Sequence, residues 1–508
     1  MTSDPPCIVE LRKQTSLDPE GISRAIGQLA ATVPVIRCHR ADRAAQLVTR
    51  SLAAILARIF PEIHLDIRDS ALAERVGGII TSVHPQALIR DVQAATLVIS
   101  VGQPMPGAYF ADASGWQLHV ASPGQDQRLL GQAGRANPAS ALLAATLVAA
   151  RVLSNIPGIL DTRPARGATS LNLWHPDLNK DGPEIPAQLQ LDTHIFGHGS
   201  ISNALWGALA EWPLAGFVTA VDDDAYETHN PARYTFLPSS KVGAHKVDEL
   251  HDLLAPHTAL NVKPCPETIQ AWSRRPGPPP RLAIISPDNR LARAWAADTQ
   301  LVLAVAASAS DREAQVAYCN TDEGICSYCL FAPGHVTPTS QRDAIAAFTG
   351  LSLGDVVAFT REWNGQPPLP LNEAAVRIIE TKMGKGKGSF DHWIGRLLLD
   401  FLHVHQAALY SAAVVRSTGA DRIHLPLPLA SAAAGALALA GLLRMTLEGF
   451  EQRNAGFNHL RLNVWTGEIQ YILESPPDSL TCLCQNAFRR AWRSPPAGGV
   501  ETPAKPKP

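Results

Sequence analysis

Glycines, acids and cations crowd into residues 191 to 250 in an order that could handle a nucleotide. An apolar run, Leu191 to Phe196, enters Gly197-His198-Gly199-Ser200-Ile201-Ser202; a helical pattern starts near Asn203, and a second apolar run, Phe217 to Val221, ends in Asp222-Asp223-Asp224. This is the first part of a nucleotide-binding βαβ unit, in which glycines let the backbone approach a phosphate at a helix N-terminus and an acid about twenty positions on reaches the ribose hydroxyls. Gly197, Gly199, Ser200, Asp222 and Asp224 are the binding candidates, with Ser202 standing where the third glycine of the motif belongs. Behind the acids follow Asn230, Arg233 and Lys246. A nicotinamide enzyme has no use for that group. Attack on the α-phosphate of ATP does, because charge gathers on phosphate oxygens and must be met by fixed donors and cations.

Taken together, the Gly-rich turn, Asp222-x-Asp224, Asn230-x-x-Arg233, Lys246 and a later Asp288 in Ser286-Pro287-Asp288-Asn289-Arg290 resemble the ATP site of the ubiquitin-activating enzyme family. That family includes the bacterial ThiF- and MoeB-type adenylyltransferases, which activate sulfur-carrier proteins. The resemblance implies ATP and Mg²⁺ as cofactors, with Asn230, Arg233 and Lys246 binding ATP and acting in catalysis and Asp288 holding the metal. It also implies adenylation of a ubiquitin-like protein at its C-terminus, with a conjugating enzyme downstream, in a bacterial system of which some members serve phage defence. A homodimer is one assembly the family allows. Ubiquitin-activating enzymes pass the acyl group to a cysteine. Residues 330 to 481 contain none, and outside the clustered cysteines only Cys7, Cys38, Cys265 and Cys319 remain, of which Cys319 is best placed. If Cys319 is inert, the enzyme stops at the acyl-adenylate, as an adenylyltransferase for a sulfur carrier or short peptide would. A non-catalytic scaffold with a decayed ATP site is the reading from another class.

Cys326 and Cys329 form one pair and Cys482 and Cys484 another. Four thiolates so spaced suit a closed, tetrahedral and therefore structural zinc site, stapling the C-terminal strands to the ATP domain. Eight cysteines in 508 residues are too few for a disulfide scaffold, which points to a reducing compartment. Lys plus Arg number 44 against 46 Asp plus Glu, so bulk charge gives no reason to expect nucleic acid or a membrane surface as partner. The opening MTSDPPCIVELRK lacks the basic-then-apolar form of a signal segment, and the expectation is a soluble, cytoplasmic protein. The uncharged run Leu427 to Leu443 has marginal length for a membrane span and reads better as a buried helix.

The elements that must position these residues read as α/β: a doubly wound, Rossmann-like adenylation domain with a parallel sheet, an N-terminal α/β domain and a helical insertion. The expected division is 1–186 for the N-terminal unit, 187–335 for the ATP domain, 336–425 for the insertion, 426–493 for the C-terminal return to the ATP domain, and 494–508 for a disordered tail. The N-terminal unit has no Gly-rich loop; it reads either as an inactive copy of the adenylation domain or as an unrelated accessory. Pro164 to Pro186 reads as a linker, and the insertion as helices over 341–348, 372–383 and 392–409, with a basic loop at Lys382 to Lys387. That loop fails as a Walker motif, since no strand precedes it and no Lys-Ser/Thr closes it; it reads as a solvated turn or a contact for an acidic partner.

Overall fold

A computed structural model describes the chain except residues 1–3, 15–17, 91–96, 131–134, 158, 161–164, 166, 276–279, 289–291, 294, 297–298, 300–302, 311, 321–344, 347, 361–368, 399–400, 403–412, 416–422, 449–456 and 474–508. The fold is α/β, with two parallel-dominant sheets and helices packed on them. The first sheet holds β1 (Pro34–Cys38), β2 (Glu62–Ile67), β3 (Leu88–Arg90), β4 (Leu97–Val101), β5 (Tyr109–Ser114), β6 (Gln117–Ala121) and β7 (Thr169–Asn172), in the order β3-β2-β1-β4-β5-β6-β7. The second holds β8 (Leu189–Phe196), β9 (Leu214–Val221), β10 (Leu260–Cys265), β11 (Leu282–Ile285), β12 (Leu303–Ala309) and β13 (Glu313–Asn320). After a separate hairpin, β14 (Ala413–Val415) with β15 (Ile423–Leu425), it is completed by β16 (His459–Asn463) and β17 (Ile469–Ile472).

The second sheet runs β10-β9-β8-β11-β12-β13-β16-β17. Strand for strand this is the order of the first sheet plus one edge strand. The directions correspond as well: five parallel strands come first, then the antiparallel β6 and β7 in one sheet and β13 and β16 in the other. The parallel, doubly wound sheet expected from the sequence is present over five strands, with antiparallel strands added at one end. The expected linker 164–186 is corrected, because β7 lies inside it. A four-residue edge strand reading Thr-Ser-Leu-Asn shows no alternation by which to find it.

The helices are α1 (Pro6–Arg12), α2 (Pro19–Ala31), α3 (Arg43–Leu56), α4 (Ser70–Val83), α5 (Pro138–Ser154), α6 (Ser200–Leu209), α7 (Lys246–Leu254), α8 (Ile269–Ser273), α9 (Leu353–Thr360), α10 (Glu373–Lys382) and α11 (Leu429–Glu448). Most of the long ones start in the ordinary way. Asp18, Asp42, Asp69, Asn137 and Asn372 each accept a first-turn amide, satisfying groups a helix end leaves unpaired. Helix α11 packs against α5 and α6 and over β12 and β13. Its most apolar stretch is 94% buried inside the protein, so the one helix long and apolar enough to cross a membrane among the described residues is a core element. Its Ala/Gly content permits close crossing: a Cβ on Gly435 would lie 2.8 Å from both Ala204 Cβ and Ile201 O of α6.

Within the expected insertion, residues 345 to 402 have a core of their own that includes Val376, Ile379, Phe390, Trp393 and Phe401. The helix expected from His392 is corrected. A 3-10 turn, Asp391–Trp393, and Gly395 with φ of 84° break the chain there, and helix resumes only at Leu398.

Candidate functional site

The parallel sheet of the second unit changes winding direction between β8 and β11, and at such a point the loops leaving two neighbouring strands diverge and open a crevice at the carboxyl edge. The glycine turn leaves β8 at this point. Gly197 has φ of 87°, and a Cβ there would sit 2.8 Å from the Pro287 nitrogen, so both backbone angle and space demand glycine. Its N–H donates to Val221 O at 3.0 Å and its carbonyl accepts from Ser286 Oγ at 2.8 Å, which ties the turn to β9 and to the segment after β11. Gly199 then caps α6 with no side chain to accept the first-turn amides. That open start suits an anion. The Ser200 hydroxyl hydrogen-bonds Ser431 Oγ of α11 at 2.9 Å. Ser202 pairs with His198 Nδ1 at 2.9 Å, which gives the serine in the third glycine's place a structural task.

Asp222 closes β9. Only 8% exposed, it accepts from the His198 N–H at 2.5 Å and from the Asp224 N–H at 2.9 Å. Burial pushes its pKa above the ordinary carboxylate range, against the pull of Lys246 and the two amides. Asp224 is exposed and receives the Lys246 ammonium at 2.7 Å. Lys246 opens α7 and is 9% exposed. Burial alone would lower its pKa, but Tyr234, Asp222 and Asp224 outweigh that and hold it raised, so the ammonium stays charged. One turn along α7, Glu249 accepts from Tyr226 Oη at 3.1 Å and lies 3.4 Å from His198 Nε2. Helix α7 thus presents a cation to the acids and locks the glycine turn from behind.

Asn230 begins a 3-10 turn, Asn230–Ala232. Its carboxamide is engaged locally, accepting from Glu227 N at 3.0 Å and meeting His229 Nε2 at 3.0 Å, so it shapes the loop. Arg233 is half-buried. Its charge acts on the buried Tyr234, whose hydroxyl lies 3.9 Å from where a Gly199 Cβ would be. Asp288 is exposed and follows the Pro287 that packs on Gly197; its charge acts on the buried Arg293. The carboxylates of Asp222, Asp223 and Asp224 come within 4.8 Å of one another, a group that does not include Asp288. Gly197, Gly199, Ser200, Asp222, Asp224 and Lys246 therefore gather at one edge, with Asn230 bracing the loop that carries Arg233 and Asp288 following the segment packed on the turn.

Cys319 is a correction. It is 0% exposed on β13, in the cluster that holds Phe196, Ala283, Ile285 and Ala306, because both faces of the strand are covered there. A thiol so placed is not presented to an acyl-adenylate. Cys326, Cys329, Cys482 and Cys484, and with them the zinc reading, lie outside the described residues. Sequence reasoning missed Tyr226, Tyr234, Glu249 and Ser431 altogether. The only available signal was the spacing of Glu249 from Lys246, which puts both on neighbouring positions of one helix.

The matching edge of the first sheet is filled by the chain itself. No glycine follows β1; Arg40 donates to Asp42 at 2.6 Å and to Asp112 and Gly102 O at 3.2 Å each. At the end of β2, Asp66 is bound by Arg37 and lies 3.0 Å from His39. Burial works to raise the Asp66 pKa, yet His39 and Arg37 prevail and hold it below the ordinary range. Folded Asp66 therefore binds fewer protons than unfolded Asp66 in mild acid. The stability it contributes is present above the ordinary carboxylate pKa and is lost as pH falls through the lowered one. Asp66→Asn should flatten the fall in Tm between about pH 5 and pH 3. Calorimetry across that range, showing the same slope in the variant, would remove Asp66 as the cause.

No known family profile matches the chain. An uncharacterized protein, y4jF, of Sinorhizobium fredii (strain NBRC 101917 / NGR234) is 27% identical over 214 residues, covering 38% of this chain and 39% of the relative, so well under half of that protein's length is spanned. Among solved structures, E. coli MccB with SeMet MccA aligns at a TM-score of 0.35 and 13% identity, covering 58% of this chain and 66% of that one. The microcin C7 biosynthetic enzyme MccB in complex with N-formylated MccA aligns at a TM-score of 0.33 and 12% identity, covering 58% and 67%. Similarity at this level assigns no activity to the chain; its own geometry must do so.

Proposed function

We propose that this protein is an ATP-dependent adenylyltransferase that joins AMP to the C-terminal carboxylate of a peptide or protein. The observation that carries the reading is the convergence of an uncapped helix start at Gly199 with Asp222, Asp224 and Lys246 at the β8/β11 crevice. Phosphates belong at the open amides of α6, and Asp224 is the acid with room for a ribose hydroxyl. An arriving triphosphate draws Lys246 away from Asp224 toward its own charge. A substrate carboxylate oxygen then bonds to the α-phosphorus as the bond to the bridging oxygen breaks and pyrophosphate leaves. Lys246 and Arg233 meet the charge on the phosphoryl oxygens in the transition state. Asp222 keeps the turn in place through the His198 amide. Magnesium, when bound with ATP, would screen the pyrophosphate charge, and a single exposed carboxylate beside the turn, Asp288, suits an ion that keeps waters and phosphate oxygens as its other ligands.

The finer form of the proposal is a ubiquitin-like protein ending in glycine as substrate, with the chain working in the cytoplasm of a bacterial conjugation system, a phage-defence role included. The buried Cys319 instead favours a second version, a sulfur carrier or short peptide that needs no thioester step. Exchange of labelled pyrophosphate into ATP, driven by glycine-ended peptides and by a β-grasp protein, tests both. Wild type should exchange, and Asp288→Ala should lose about tenfold or more. No exchange with either substrate, together with no affinity for ATP, would leave a scaffold.

A further inference from the structure

The loop that carries Asn230, Arg233 and Tyr234 is held from the N-terminal unit. Arg58, just beyond the end of α3, is 0% exposed. Its Nη1 donates to Pro231 O at 2.7 Å; its Nη2 donates to Thr235 O at 3.2 Å and to Leu237 O. No carboxylate pairs with it among the described residues, and its Nε is left without a partner. Burial draws its pKa down to about 9, so the group is still charged at neutral pH. Two neighbouring contacts reinforce the join. Cys7, whose amide donates to Arg58 O at 2.9 Å, sets its thiol sulfur 2.8 Å from Pro426 O and 3.4 Å from Ala232 O, and the Ser239 hydroxyl donates to Val83 O.

A buried cation without a counter-ion is costly, and main-chain carbonyls offset only part of that cost. Residue by residue, what these carbonyls share is the loop facing the glycine turn. We propose that Arg58 is a positioning residue for the nucleotide site: it fixes residues 231 to 237, the loop that carries Arg233, so that Tyr234 faces Gly199. Its unneutralised charge lies behind the wall that a polyanion would approach. The N-terminal unit is then half of the site in a structural sense, although its own sheet edge is closed. The link to nucleotide rests on the adenylation reading; the link to the loop does not.

The test uses the full-length chain with Arg58→Met, Arg58→Lys and wild type, reading amide hydrogen exchange without ligand and ATP affinity by calorimetry. The reporters are the Arg233 and Tyr234 amides, which donate to Asn230 O at 2.9 and 3.1 Å. In Arg58→Met both should exchange at least about tenfold faster while β1 and β4 keep their protection. The Kd for ATP should rise about tenfold or more, with part of both effects recovered in Arg58→Lys. Unchanged loop exchange in a folded Arg58→Met protein overturns the proposal. So does a loss of protection spread equally over β1 and the loop, or, should Arg58→Met not fold, an Arg58→Lys protein with loop and ATP affinity as in wild type. If wild type binds no ATP, the adenylation reading fails, and the exchange data still decide whether Arg58 sets the loop.

Discussion

Lys246→Ala is expected to slow pyrophosphate exchange by about 10²–10³-fold, the size of effect seen when one fixed group facing a developing oxyanion is removed. The ammonium is largely buried, is kept charged by the acids around it and starts α7, whose Glu249 backs the glycine turn. Removing it withdraws the cation that pairs with Asp224 among the described residues, and it deprives the buried Asp222 of its main opposing charge. The exposed Asp224 partner (67%) contributes little to apo-protein stability, so any fall in Tm should come chiefly from the buried Asp222 left without its opposing charge. The activity loss must therefore exceed anything the change in Tm explains. Steady-state exchange rates measured beside a melting curve separate the two, and a rate within about threefold of wild type would show that the phosphates are met elsewhere. Lys246→Arg is not a neutral control, since a planar guanidinium cannot follow the short path from Asp224 to a phosphate.

Gly435→Leu should act from the opposite direction, through the core. A Cβ at this position already meets Ala204 Cβ and Ile201 O at 2.8 Å and Leu205 N at 3.1 Å, and two of these are backbone atoms of α6 that no rotamer change can move. Helix α11 would have to lift from α6, at a cost of about 3 kcal/mol, the upper part of the usual range for overpacking. Because the open end of α6 is the proposed phosphate cradle and Ser200 bonds Ser431, the shift carries into the candidate site. The expected result is a lower denaturation midpoint together with weakened ATP binding. A variant with the wild-type midpoint would mean that the two helices do not cross this closely.

The cradle could be read from the chain because its parts lie in order within a short stretch and each has a stated chemical reason. Glycines precede a helix, acids end the next strand, and Lys246 opens the helix after that. The local βαβ pattern fixes which edge they share. Tyr234 and Glu249 could not be found this way. A phenol and a carboxylate gain their roles only by facing Gly199 and His198 across the fold, and nothing in their own neighbourhoods marks them. Ser431 lies 231 residues from its partner Ser200, beyond any local pattern. Elimination and closeness in sequence both point to Cys319, and neither reports burial. The strand order of the first unit was equally hidden. Without a glycine loop or paired acids, its sheet offered only apolar runs, and these do not reveal how strands are arranged.

Helix α5 lies between β6 and β7 as α11 lies between β13 and β16; α3 packs on α5 as α6 packs on α11, and α5 and α11 pack on each other. One polypeptide thus contains two sheets of like strand order whose matching helices pack on each other, a pairing of the kind identical subunits reach by association. In a symmetric dimer any residue change is made twice, so a substitution that seals one cradle seals both. Joined in a single chain, the two halves are released from that tie. One could fill its edge with Arg40, Asp66 and Asp112 and serve as support, while the other kept its mouth open.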